Sequence, residues 1–164
     1  PFGRGLAPSP ASGGRLGWGL AGEGCTLKGI KGGGALPAPS VEELLATARG
    51  LADRGEYDLA EQTCRHVLAS APLAVWAHFL LAQLAQRKGD FARAGELLDK
   101  TLYLDPQCVA AYLEQAALCE RAENLPRAQT LRRAALDIIR ALPGDSMVEP
   151  YEITAAEMAQ WLAQ

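Results

Sequence analysis

From Ser40 onward, apolar residues recur every three or four positions. Leu44, Ala48 and Leu51 share one helical face, which predicts a first helix over residues 41–54. Ser40 and Glu43 form an S-x-x-E pair, in which each side chain satisfies a backbone donor left free at a helix start. Gly55 supplies the positive φ that ends a helix. A second helix spans residues 57–70, and Pro72 blocks its extension. The plan then repeats: a helix over 75–88, a turn at Gly89 and Asp90, and a helix over 91–104 before Asp105 and Pro106. A third copy has a helix over 109–122, with Glu123 and Asn124 replacing the Gly–Asp turn. Its partner helix carries Pro126 in the first turn, where proline is tolerated, and runs to about residue 142. Residues 145–153 read as an extended connection. Thr154 and Glu157 make another capping pair, opening a last helix with Met158, Trp161 and Leu162.

The copies keep a period of 34 residues. Ala60, Ala94 and Ala128 obey it, as do Gly55 with Gly89 and Pro72 with Pro106. A period of that length marks helix-turn-helix units that stack because none can bury its apolar face alone. The fixed alanines have a steric cause. Ala60, Ala94 and Ala128 fall where the two helices of a unit come closest, with Ala48, Ala82 and Ala116 opposite them. Tyr57, Phe91 and Leu125 are expected to fill the space beside each turn, and the last helix, with Trp161 sealing it, to cap the stack.

Composition separates a leader from this array. Residues 1–39 hold 12 of the 17 glycines and five of the ten prolines, and carry +3 against −6 for the rest. Such a stretch has few apolar residues to offset the entropy of ordering, so it reads as a flexible Gly/Pro-rich linker. Within it, residues 29–34 lack the Gly-Lys-Ser/Thr ending of a phosphate loop and no strand pattern precedes them. Trp18 reads as a tail residue. A chain opening on Pro1 reads as a fragment or processed product. The acidic array argues against nucleic acid, which needs Lys and Arg clustered on one face. Cys25, Cys64, Cys108 and Cys119 form no CxxC pair and, with His66 and His78, offer no zinc spacing, so no metal is expected. Free cysteines inside helices favour a reducing, cytoplasmic compartment. No apolar run approaches the ~18 residues of a membrane span, and the start lacks a signal peptide's pattern.

These features resemble the tetratricopeptide repeat (TPR) family, over residues 41–74, 75–108 and 109–142. The expected fold is an all-α solenoid: a linker at 1–39, three repeats within 40–142, and a connection with a capping helix at 143–164. A narrower resemblance lies in Tyr103-Leu-Asp-Pro-Gln-Cys-Val-Ala-Ala-Tyr112, in the helix from Arg132 through Leu136, and in the ending Glu149-Pro-Tyr-Glu-Ile-Thr154-Ala-Ala-Glu157. These stretches look like the C-terminal TPR region of bacterial CheR-type chemoreceptor glutamate methyltransferases. In that family an S-adenosylmethionine domain precedes a variable linker and a short TPR array. The resemblance implies a non-catalytic docking region whose partner is a receptor, a response regulator or the parent's own catalytic domain. No catalytic residues and no cofactor are expected in this chain, because no Gly-rich turn follows a strand pattern. A free-standing TPR adaptor in another bacterial assembly is the alternative.

TPR units commonly line a concave groove with the inner face of each first helix. Projecting that face selects Glu42, Leu45, Arg49 and Asp53, then Trp76, Phe79, Gln83 and Arg87, then Ala110, Leu113, Ala117 and Arg121. Aromatic residues and arginine dominate interface energies, so an extended or helical peptide of some acidic character is expected across Trp76 and Phe79. Packing of both rings against neighbouring helices or the linker is the competing possibility. A carboxylate clamp of the kind that grips chaperone C-termini is disfavoured, since Leu45, Arg49 and Leu80 stand where it needs Lys or Asn, and Glu114 would repel a carboxylate. His78 reads as a core histidine and His66 as solvated, while Glu152 and Glu157 suit the N-terminal dipole of the last helix.

Overall fold

A computed structural model describes residues 38–163. The linker expectation, Trp18, Cys25 and the glycine run at 29–34 fall mainly or wholly outside this range. Six helices form three antiparallel pairs: α1 (Val41–Asp53) with α2 (Tyr57–Ser70), α3 (Val75–Arg87) with α4 (Phe91–Leu104), and α5 (Val109–Arg121) with α6 (Leu125–Ala141). Each second helix also packs on the first helix of the next pair, and α7 (Ala155–Leu162) closes on α6. This is the TPR solenoid. Helix ends fall within one residue of the periodicity reading.

Local chemistry explains the boundaries. The capping boxes at Ser40–Glu43 and Thr154–Glu157 both form. Asp90 and Asn124 cap α4 and α6 by accepting from the backbone N–H of Arg93 and Arg127. Gly55 and Gly89 sit at φ 81° and 82°, the left-handed geometry the turns require. In the third repeat Glu123 takes that place at φ 57°, although it carries a Cβ.

The alanines work as expected. Ala48, Ala60, Ala82 and Ala94 are fully buried, and Ala116 and Ala128 nearly so. Side chains beside the turns depart from the expectation along the array. Tyr57 packs into the core with Ala60 and Cys64, whereas Phe91 and Leu125 are exposed. Arg121 of the next repeat covers Phe91, its guanidinium carbon 4.3 Å from the ring centroid. Leu125 belongs to the last repeat, where no further first helix supplies such cover. The cap also differs. Met158 and Leu162 pack against Val109, Ala135 and Ile139, while Trp161 points outward and remains 37% exposed.

The largest departure is the connection at 145–153, which is a β-hairpin. Strands β1 (Met147–Val148) and β2 (Ile153–Thr154) pair antiparallel, with Met147 opposite Thr154 and Val148 opposite Ile153. A four-residue loop containing a cis Glu149-Pro150 bond joins them, closed by Tyr151 N–H donating to the Val148 carbonyl at 2.9 Å. At its base, Ala155 and Ala156 donate to the carbonyls of Ser146 and Gly144 at 2.8 and 3.1 Å.

Candidate functional site

The inner faces of α1, α3 and α5 bring the projected residues together, but they do not present them equally. Leu45 is buried with Val67 and Ala77. Phe79 is 2% exposed, in a cluster with Ala82, Leu98, Cys108, Ala110 and Ala111. Ala110 is itself fully buried there. These three residues therefore build the groove floor and offer little surface, which corrects the picture of Phe79 as an open anchor. The cause is spacing: α3 is the central first helix, flanked on both sides, so its apolar stripe is covered more fully than that of α1. Leu113 packs beside Val148 and Tyr151 under the hairpin.

Trp76 remains half-buried and bridges two core clusters, one beneath repeats one and two and the other beneath repeats two and three. Its ring meets Phe79 edge to face, centroids 5.5 Å apart and planes at 88°. On its other side lies Arg49, whose guanidinium carbon is 5.9 Å from the Trp76 ring centroid, within cation–π reach. Burial pulls the Arg49 pKa below its ordinary value, with the Glu149 and Cys64 charges acting the other way. Gln83 is half-buried, while Glu42, Asp53, Arg87 and Ala117 are exposed. Arg121 is exposed too, but it is turned onto Phe91 of α4. Gln86 donates to Glu114 at 3.1 Å, joining α3 to α5.

The hairpin loop is part of this site, a feature the sequence reading missed. Tyr151 packs against the Phe79–Ala82–Ala110 cluster and also against the cluster joining α5, α6 and α7. Burial drives its phenol pKa well above the usual tyrosine value, and the Glu114 and Cys108 charges add to the effect. Pro150 is buried beside it. The adjacent Pro, Tyr and acidic residues could have drawn attention, but nothing in their spacing told a folded-back loop from an extended linker.

A second feature missed in the sequence is an ion cluster between the first and second repeats. Glu61, 7% exposed, accepts from Arg65 at 2.6 Å, Lys88 at 2.6 Å and Arg93 at 2.8 Å. The Lys88 hydrogen bond holds the Glu61 carboxyl below its ordinary pKa despite burial, with Arg93 helping. Lys88 also donates to Asp58 at 2.6 Å. This cluster ties α2 to the end of α3 and the first turn of α4. Gln115 donates to Asp99, a similar tie between α4 and α5. His78 is in the core, its Nε2–H donating to the Pro72 carbonyl at 3.0 Å, and His66 is exposed. Burial pushes the Cys64 thiol up to about 12, so it is no nucleophile at neutral pH. Among the described residues no group of three His, Cys, Asp or Glu could hold a metal, and no helix is long and apolar enough to cross a membrane.

Known proteins match this arrangement. A family model described as tetratricopeptide repeat matches residues 51–119. Over 93 residues the chain is 32% identical to the Probable biofilm formation methyltransferase WspC of Pseudomonas putida, covering 57% of this chain. The chain spans about a fifth of that relative's length, the match covering 22% of it. The type III secretion chaperone SycD of Yersinia enterocolitica, solved in complex with a peptide of the translocator YopD, has a similar fold at 15% identity. Its TM-score is 0.59, with 75% of this chain and 92% of that one covered. The first TPR of Spaghetti (RPAP3), solved bound to the HSP90 peptide SRMEEVD, aligns at 18% identity and TM-score 0.56, covering 76% and 90%. At these identities the structural matches speak to the fold alone.

Proposed function

We propose that this TPR interaction module is the docking region of a CheR-type protein methyltransferase whose S-adenosylmethionine domain lies outside this chain. The observation that carries the reading is the similarity to WspC, a protein named as a methyltransferase, over 93 residues of this chain. The module itself performs no chemistry. It offers the inner face around Trp76 and Arg49 to a peptide or protein segment belonging to a receptor, a response regulator or the catalytic domain. SycD and RPAP3 share the fold and were both solved with peptides, and the peptide-binding role is carried to this module by that analogy. No cofactor or metal is assigned to the module, and a cytoplasmic setting accompanies the reading.

The test is to sequence the coding DNA upstream of Pro1. The reading expects an open frame encoding a strand, a Gly-rich turn and a helix of a cofactor-binding domain. An initiation codon close to Pro1 would overturn it, leaving a free-standing adaptor.

A further inference from the structure

The inner face is already occupied by the chain's own hairpin. Its loop at 149–152 packs on the second and third repeats through Tyr151. Tyr151 lies on a floor built by α3, α4 and α5, with Val148 anchored among Val109, Ile139 and Met158. Glu149 is exposed, and its charge acts on Arg49 in the first repeat. The Glu149 charge thus acts on the cation beside Trp76, and next to it Pro150 is buried and Tyr151 half-buried. Its backbone hydrogen bonds to the start of α7 lie at the hairpin's base, through Ser146 and Gly144, while Val148 and Tyr151 hold it to the array by packing.

We infer that the loop at 149–152 is a built-in ligand of the groove, and that the partner is a segment of the same chemistry, an acidic residue followed by proline and tyrosine, which binds by displacing it. The inference rests on the interaction-module reading and names its partner class. Arg49 selects the acidic residue, the floor around Phe79 and Ala110 takes the tyrosine ring, and Glu114 disfavours a second carboxylate deep in the site.

The test uses the whole chain and a fluorescein-labelled nonapeptide copying residues 146–154, with binding read by anisotropy and folding by circular dichroism. A tethered competitor lowers apparent affinity by the fraction of time it vacates the site, so Tyr151→Ala should bind the peptide about tenfold tighter than the unaltered chain. Adding Arg49→Glu should remove that gain. A peptide with alanine for its tyrosine should bind neither chain. Because Tyr151→Ala removes buried area, Glu149→Lys serves as a second variant: its side chain is exposed, and it should also tighten peptide binding. A folded Glu149→Lys or Tyr151→Ala chain with no gain would overturn the inference and make the hairpin a fixed cap. Peptide binding with no methyltransferase frame upstream would remove the proposed parent and keep this inference. The converse would remove only this one.

Discussion

The rings of Trp76 and Phe79 meet edge to face at 5.5 Å, yet only Trp76 reaches the surface. Two residues three positions apart on α3 therefore have different duties. Phe79→Ala should empty a packed site and cost about 3–5 kcal/mol of stability. Trp76→Ala should keep the helical signal and weaken peptide binding by about 2 kcal/mol. Denaturant melts beside binding isotherms check both, and loss of helicity in Trp76→Ala would assign that ring to the core instead.

Ala94 is fully buried where α4 meets α3. Ala94→Leu should wedge the helices apart and cost about 1–3 kcal/mol, read as a lower midpoint in urea. Ala92→Leu, one turn edge away on the exposed side of α4, should be nearly neutral by the same measurement.

Glu123 holds a left-handed backbone that Gly55 and Gly89 adopt without a Cβ. Glu123→Gly should therefore stabilise the third repeat, by about 0.5–1 kcal/mol after the greater chain entropy of glycine is set against the relieved strain. A thermal melt checks this. A lower melting temperature would show that the glutamate side chain contributes more than its backbone costs.

Glu61 gathers three cations while nearly buried, so its carboxyl titrates lower when folded than when unfolded. Its contribution is then complete above the ordinary glutamate value of 4.5 and is lost as pH falls through the depressed folded value. Glu61→Gln should cost about 1–2 kcal/mol at neutral pH, since its partners stay partly solvated. The gap between the two proteins should narrow as pH falls below 4.5 and close once it passes the depressed folded value. Equal stability at pH 7 would show the cluster to be energetically idle.

The sequence exposed most of the scaffold because a repeat states its pattern three times. Ala60, Ala94 and Ala128 mark the close approaches, and each helix start and stop carries its own chemistry at Ser40, Gly55, Asp90 and Thr154. The candidate groove was only partly legible. Periodicity places Phe79 and Trp76 on one face, but it cannot weigh how much of each ring the flanking helices cover. Glu61 lies among helical polar residues, and of its three cations Arg65 is four positions away on the same helix, while Lys88 and Arg93 lie 27 and 32 positions on, pairings no local pattern records. The hairpin was hidden for the same reason. Tyr151 finds its floor more than 40 residues upstream at Ala110, through contacts set by the finished stack.

The central claim is that the inner face receives a peptide in place of the Tyr151 loop. Titrating the nonapeptide of residues 146–154 into isotope-labelled protein, and following amide and indole resonances, tests it most directly. The account predicts shifts at Arg49, Trp76 and Gln83 together with release of residues 148–153. Shifts confined to the outer positions Leu73, Tyr103 and Trp161, or none at saturating peptide, would contradict it.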